Sequence, residues 1–167
     1  METWSFLFAD DGDIPNNSVP LIVYPRALDP AGGDMASRFE ALFAANGWGG
    51  SWRNGIFPFH HYHSTAHEVL GIAAGEAEVR FGGEGGESLH VQAGDAVLIP
   101  AGVGHKRLSA TPDLLVIGAY PGGQWADLMR EGAEDGQAIR GRIAAVAVPD
   151  ADPVGGRDGP VARIWGG

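Results

Sequence analysis

Five of the six histidines in this 167-residue chain lie in two short segments, residues 55–68 and 94–105. Imidazole nitrogens are common ligands of divalent transition metals. His61 and His63 are separated by one residue, and alternate side chains of a β-strand point to the same face. The pair therefore supplies half of a metal site if this segment is a strand.

An acid and a third histidine could complete the site. Glu68 follows His63 across a short stretch that can turn, and His105 comes from the second segment, after a turn at residues 100–102. Three imidazoles and one carboxylate leave positions open on an octahedral metal, and open positions bind substrate or water. The donor set suits Fe, Mn, Ni, Zn or Cu. Glu68 could also act as a catalytic residue by moving a proton.

The other three histidines have simpler interpretations. His67 adjoins Glu68 and could replace it as a ligand, because only one of two adjacent strand residues can face inward. We expect His60 to point away from the site and His90 to lie on the surface.

Strand alternation also predicts a substrate pocket around the histidines. Upstream of the histidine pair, the same face carries Phe59, Phe57 and Arg53; beyond the third histidine it carries Arg107 and Ser109. An apolar cavity with a few polar groups is typical of a small-molecule site. Either arginine could pair with the carboxylate of an anionic ligand.

The chain between residues 48 and 120 predicts the strands that hold these side chains. Short apolar runs alternate there with turn residues, which is typical of an all-β core. The predicted strands are 51–63, 67–73, 76–81, 88–92, 96–99, 104–109 and 113–120. Before them, an irregular arm (1–30) leads into one amphipathic helix at 34–46, where apolar residues recur at helical spacing.

The chain length suffices for one domain with a single core. We divide residues 1–167 into an N-terminal arm and helix (1–47), an all-β core (48–120) and a C-terminal helical segment with a tail (121–167).

The C-terminal segment gives a weaker pattern than the core. Residues 124–144 predict one or two short helices, with Trp125, Leu128 and Met129 on one apolar face. Glycines and prolines argue against regular structure from residue 149 onward, although its apolar side chains should pack against the protein.

Composition narrows the functional classes. The formal net charge of −10 argues against nucleic acid and anionic membranes as partners. The chain has no cysteine, so disulfides and thiolate sites are excluded. The first residues lack the basic start and apolar run of a signal peptide, and no stretch is as long as a membrane span, so we expect a cytoplasmic location. Exposed strand edges and the apolar arm suggest a homodimer.

The two histidine segments resemble the signature motifs of the cupin superfamily. Those motifs are G-x5-H-x-H-x3,4-E-x6-G and G-x5-P-x-G-x2-H-x3-N. The chain matches them at Gly55, His61, His63, Glu68, Gly75, Gly94, Pro100, Gly102 and His105. Ser109 stands where the second motif ends in Asn. The wider chain resembles the bacterial YjlB-type group of single-domain cupins.

The resemblance implies a double-stranded β-helix, a small jelly-roll barrel with an N-terminal arm and helix and a short C-terminal helical extension. It implies that one divalent transition metal is held by His61, His63, Glu68 and His105. By analogy within the superfamily it favours a metal-dependent dioxygenase that acts on a small polar or anionic molecule. A metal-dependent isomerase or decarboxylase, and a non-catalytic cupin that binds or senses a small ligand, are the alternatives.

Overall fold

Two antiparallel β-sheets face each other in the computed structural model, which describes residues 1–166; the final residue of the predicted tail, Gly167, lies outside them. The strands are β1 Trp4–Phe6, β2 Leu21–Tyr24, β3 Trp48–Asn54, β4 His61–Tyr62, β5 Glu68–Ala74, β6 Glu76–Phe81, β7 Glu87–Gln92, β8 Ala96–Ile99, β9 His105–Ala110, β10 Leu115–Pro121 and β11 Met129–Arg130. The six-stranded sheet has the order β1-β2-β8-β5-β10-β3, and the five-stranded sheet has the order β11-β4-β9-β6-β7. This arrangement is the predicted jelly roll.

Strand alternation separates two apolar layers. In β2, Leu21 and Val23 point between the two sheets, where they join residues such as Val79 from the opposite sheet. Ile22 and Tyr24 point to the outer face of the six-stranded sheet. Strands β2 and β8 of the six-stranded sheet are therefore buried on both faces, which explains why they are apolar at every position.

Helix α1 (Met35–Ala45) covers that outer face, as the helical spacing predicts. The Asp34 side chain accepts a hydrogen bond from the Ser37 backbone N–H and so caps the helix. Phe39 is fully buried against β5 at Gly71, where an added Cβ would lie 2.6 Å from the Phe39 ring. A glycine at this position lets the helix approach the sheet closely.

The predicted strand 51–63 is wrong in its continuity. Strand β3 ends at Asn54, residues 55–60 form an irregular loop, and β4 contains only His61 and Tyr62. Pro58 lies within that loop, where its missing N–H and fixed φ oppose a sheet ladder. Because the loop interrupts the alternation of side chains, the residues of β3 that point inward cannot be deduced from those of β4.

The C-terminal prediction needs two corrections. Residues 124–135 are not helical, and within them β11 pairs with β4 at the edge of the five-stranded sheet. The helix that does form, α2 (Gly136–Ala145), begins later than the predicted apolar face, so Trp125 is 75% exposed. The tail also contains a short helix, α3 (Pro160–Ile164), which begins at a proline in a position where the missing N–H costs no helical hydrogen bond.

The tail packs against the outer face through Val161 and Trp165, both buried, in agreement with the expectation that its apolar side chains pack. Buried Asp152 holds it there: its carboxylate accepts hydrogen bonds from the hydroxyl of Tyr24 and from backbone N–H groups of the tail. Among residues 1–166, the helices are all too short or too polar to cross a bilayer.

Candidate metal centre

Three histidines converge at the inner wall of the barrel. His61 in β4 and His105 in β9 are opposite each other in the sheet, and their ring centroids are 3.9 Å apart. His63 lies one residue beyond β4. One nitrogen from each ring falls within 4.8 Å of the others, so the three side chains form a group that could hold a metal ion.

Each of these rings is oriented by a backbone carbonyl at Nδ1. His61 Nδ1 lies 3.0 Å from the Phe59 oxygen, His105 Nδ1 lies 3.2 Å from the Val103 oxygen, and His63 Nδ1 bonds to the Asp127 oxygen. A carbonyl can only accept, so Nδ1 carries the proton in all three rings. Nε2 is thereby directed to the centre, an arrangement found at metal-ligating histidines.

Glu68 begins β5 and is 2% exposed. Its Oε1 lies 3.3 Å from His63 Nε2 and 3.4 Å from His105 Nε2. The structure thus places all four predicted ligands together. Three neutral nitrogens and one carboxylate oxygen in a buried setting fit a divalent transition metal.

Burial and mutual charge perturb the pKa values of this group. Burial opposes the charge of Glu68, but His63 and His105 outweigh it and hold the pKa of the carboxyl well below its usual range. Burial likewise opposes the charge of His63, yet the Glu68 carboxylate raises the pKa of His63 to about 9. Burial, assisted by the neighbouring His105, lowers the pKa of His61 to about 3.

Two further residues support Glu68, and the sequence analysis did not identify them. The Tyr120 hydroxyl in β10 donates a hydrogen bond to Glu68 Oε2 at 2.9 Å, and it accepts one from Trp52 Nε1 in β3 at 2.8 Å. Burial and the nearby carboxylate raise the pKa of Tyr120. Gly118 makes room for the indole, since a Cβ there would lie 2.1 Å from Trp52 Cε2.

The centre opens into a cavity of about 380 Å³. The cavity wall includes the apolar side chains of Phe57 and Leu70 and the polar side chains of Asn54 and Arg107. The predicted pocket residues Phe57 and Arg107 therefore line the cavity together with the three histidines. Phe59, also predicted as a pocket residue, is not among the residues that line the cavity. Its ring stacks on Phe57 with ring centroids 4.9 Å apart, and the Arg130 guanidinium lies 3.9 Å from its ring centre.

Arg53 does not reach the cavity, so its prediction as a pocket residue is wrong. It is paired across the sheet with Ile117, whose side chain faces α1, and the Arg53 guanidinium forms two hydrogen bonds to Glu40 of that helix. The physical reason is the loop at residues 55–60, which shifts the alternation so that Trp52 and Asn54 point inward instead.

Ser109 is a further predicted pocket residue that the structure places outside the cavity. The pairing of β9 with β6 shifts between Arg107 and Ser109, leaving Leu108 as an extra residue in β9. This β-bulge reverses the facing of everything beyond it. Ser109 is exposed and lies opposite Glu78 in the sheet. The Glu78 carboxylate is hydrogen-bonded to His90 on the outer surface, so Ser109 is on that surface too.

The remaining histidines lie away from the centre. His67 Nδ1 accepts a hydrogen bond from the Ala101 N–H, and its ring meets Trp165 on the outer side of the sheet, so His67 does not replace Glu68. His60 points away from the site, as expected, but it is buried and bonded to Glu84. His90 is on the surface.

Fold and site together define a small jelly-roll protein with a histidine group in its inner wall that could hold a metal ion. A family profile described as "Cupin domain" matches residues 53–114. The uncharacterized protein YjlB of Bacillus subtilis (strain 168) is 44% identical over 165 residues, which cover 98% of this chain and 97% of that protein. The chain belongs to the cupin superfamily, in the YjlB-like group.

Solved structures with a similar fold include two bacterial enzymes. An acireductone dioxygenase from Bacillus anthracis, with a cadmium ion in its active center, is 17% identical; the match covers 52% of this chain and 58% of that one, with a TM-score of 0.39. Bacillus subtilis oxalate decarboxylase is 14% identical; the match covers 72% of this chain and 30% of that one, with a TM-score of 0.38. These values are too low to bear on the reaction of this chain.

Proposed function

We propose that the protein is a metal-dependent enzyme that acts on a small anionic organic molecule. One observation carries the proposal: the convergent histidines and the Arg107 side chain line the same cavity. A ligand could therefore reach a metal at one end of the cavity and a cationic side chain at the other.

The metal would be held by His61, His63, His105 and Glu68. These residues supply nitrogen and oxygen donors that suit Fe, Mn, Ni, Zn or Cu. When bound, such an ion polarises a substrate or activates a small molecule beside it. His63 Nε2 lies 3.3 Å from Glu68 Oε1, and a metal that binds this nitrogen would displace any proton on it.

Arg107 supplies the charge that selects an anion. It follows His105 by two residues on the same face of β9, so its Cα lies roughly 7 Å further along the strand. No ion pair involves Arg107 anywhere in residues 1–166. A carboxylate can thus bind the guanidinium by two parallel hydrogen bonds without displacing a protein acid.

Paired arginine variants test the substrate class. Zinc-loaded protein is titrated calorimetrically with pyruvate, lactate and benzoate as probes of small carboxylates. Replacing Arg107 by Ala should make the binding free energy of the tightest-binding acid less favourable by about 1.5–3 kcal/mol, the range for a hydrogen bond to a charged group. Arg53→Ala is the matched control, because Arg53 lies outside the cavity. The dissociation constant of the acid from this variant should equal that from the wild type. An unchanged constant in Arg107→Ala, or no binding of any of these acids to the wild type, contradicts the proposal.

The reaction class is the finer part of the proposal. A dioxygenase is favoured by the superfamily analogy alone, and an Fe(II)-loaded sample that consumes oxygen only in the presence of an organic acid would support it. Conversion of the acid without oxygen uptake would favour the isomerase or decarboxylase instead. Binding without turnover, with any of the five metals, would identify a binding or sensing cupin.

A homodimer is also proposed, from the edges of the sheets. In the described residues β1 forms one edge of the six-stranded sheet, and Trp4 and Leu7 beside it are at least half exposed. Unpaired strand edges with apolar side chains favour association. Light scattering at micromolar concentration should give twice the chain mass of 17.4 kDa, and a mass of one chain would exclude the dimer.

A further inference from the structure

We propose that Asp127 is a positioning residue for the candidate metal centre and that it sets metal affinity by fixing the His63 imidazole. The inference rests on the proposed function, since it takes His63 as a metal ligand. It concerns an extended segment, residues 125–130, which we call the strap.

The orienting contact of His63 differs in origin from those of the other two rings. His61 and His105 each bond to a carbonyl only two residues earlier in the chain, at Phe59 and Val103. The partner of His63 is the carbonyl of Asp127, 64 residues away. Two of the rings are therefore oriented by their own strand segment, whereas the third depends on the strap.

The Asp127 side chain fixes the position of that carbonyl. Its Oδ1 accepts a hydrogen bond from the Ser64 backbone N–H at 2.6 Å, and its Oδ2 accepts one from the Ser64 hydroxyl. The Asp127 N–H in turn donates to Thr65 Oγ1 at 3.1 Å. Every polar group of Asp127 thus joins the strap to His63 or to the two residues that follow it.

Contacts on both sides hold the strap in place. Toward the N-terminal side, Thr65 Oγ1 donates to the Trp125 carbonyl at 2.9 Å. Toward the C-terminal side, β11 pairs with β4, bringing Arg130 opposite His61. Helix α2 adds Arg142, whose Nε donates to the Ser64 hydroxyl at 3.1 Å. Ser64 is fully buried, so these hydrogen bonds are shielded from competing water.

The consequence for metal binding follows from the role of outer contacts. A ring that has lost its Nδ1 partner can rotate and can change tautomer, so its Nε2 is no longer directed at the ion. Losing such a contact typically weakens metal affinity about 10- to 100-fold. Asp127→Ala removes the anchor of the carbonyl, whereas Asp127→Asn keeps an oxygen that can accept from the Ser64 N–H.

The test compares zinc affinities of metal-stripped variants by competition with a chromophoric chelator. Asp127→Ala should bind zinc about 10- to 100-fold more weakly than wild type, and Asp127→Asn should recover most of that loss. Asp11→Ala is the matched control: Asp11 Oδ1 also accepts from two backbone N–H groups, those of Asp13 and Ile14, but it lies in the N-terminal arm. Its zinc affinity should equal that of the wild type.

A second readout separates positioning from general stability. The visible absorption bands of bound cobalt(II) report ligand geometry. They should shift in Asp127→Ala and stay unchanged in Asp11→Ala when the two variants have equal thermal stability. If Asp127→Ala does not fold, Thr65→Val, which removes the hydroxyl between Asp127 and Trp125, should shift the same bands. The inference is overturned if folded Asp127→Ala, or Thr65→Val where Asp127→Ala does not fold, has the zinc affinity and the cobalt absorption bands of the wild type.

His63→Ala distinguishes this failure from a failure of the proposed function. If His63→Ala loses zinc while Asp127→Ala keeps wild-type affinity, the metal centre stands and the positioning role is wrong. If His63→Ala binds zinc as the wild type does, His63 is not a ligand, and the proposed centre and this inference both fall.

Discussion

The two sheets support the candidate centre in different ways. On the six-stranded side, Glu68, Tyr120 and Trp52 belong to three neighbouring strands of seven residues each and hold one another through side chains. On the five-stranded side, β4 has two residues, and His63 lies beyond its end. One wall is organised by the sheet itself, whereas on the other wall His61 and His105 are oriented by their own strand segments and His63 by a contact from the strap.

The largest effect that would test this division is loss of the histidines. Replacing His61, His63 or His105 by Ala should remove most bound metal at neutral pH, because each deletes one of three nitrogen donors. Metal content per chain, measured by elemental analysis after gel filtration, checks this. His90→Ala should retain full content, since His90 lies on the outer surface. If all three alanine variants retained one metal ion per chain, the candidate metal centre would be wrong.

The six-stranded wall should tolerate little change in volume. In Gly118→Ala the added methyl would lie 2.1 Å from the Trp52 ring, and relieving that overlap should cost about 3 kcal/mol of unfolding free energy. Gly55→Ala is the control, because no atom lies within 4 Å of the new methyl group. Urea unfolding of the metal-free proteins measures both. A Gly118→Ala variant as stable as Gly55→Ala would mean that this wall adapts easily.

A smaller effect should follow from removing one hydrogen bond within the same wall. Tyr120→Phe leaves Glu68 Oε2 and Trp52 Nε1 without their shared partner, which should lower the unfolding free energy by about 2 kcal/mol. Tyr62→Phe offers a comparison on β4, since the Tyr62 hydroxyl makes no hydrogen bond to the protein within residues 1–166. Equal stabilities of the two variants in urea would show that the Trp52–Tyr120–Glu68 chain is not a support.

The smallest expected effect concerns alkaline pH and the outer face of the six-stranded sheet. Burial, together with the Asp152 carboxylate, raises the pKa of Tyr24. Above pH 10 the unfolded chain releases the Tyr24 proton while the folded chain keeps it, so stability falls as pH rises. The loss should be about 1 kcal/mol between pH 10 and pH 11. Tyr24→Phe should lose less over this interval in urea unfolding; an identical slope in both proteins would contradict the assignment.

The sequence predicts the ligands better than it predicts their surroundings. His61, His63, Glu68 and His105 converge as expected because motif spacing and local alternation determine where they point. Arg53 and Ser109 fail for the same physical reason: alternation is exact only within an uninterrupted strand. The loop at residues 55–60 and the bulge at Leu108 each shift it by one residue, and neither leaves an unambiguous mark in the sequence.

Residues that act across long sequence distances were not predictable from one chain. Trp52 and Tyr120 meet because β3 and β10 are neighbours, and that pairing is known only once the sheet order is known. Asp127 was assigned to a helical segment, since the apolar spacing around it resembles a helix. Pairing of β11 with β4 overrides that local preference.

The buried carboxylate of Asp152 has a consequence for how the chain folds during synthesis. It accepts a hydrogen bond from the Tyr24 hydroxyl, 128 residues away in sequence, and the Trp165 indole donates one to the Pro20 carbonyl, 145 residues away. These contacts of the outer apolar layer with β2 therefore cannot form until the segment 152–165 has emerged from the ribosome. Contacts of such long range are formed slowly. Nascent chains that stall before residue 152 should expose the apolar face around Tyr24 and Trp48, and they should be more readily bound by chaperones than the finished protein.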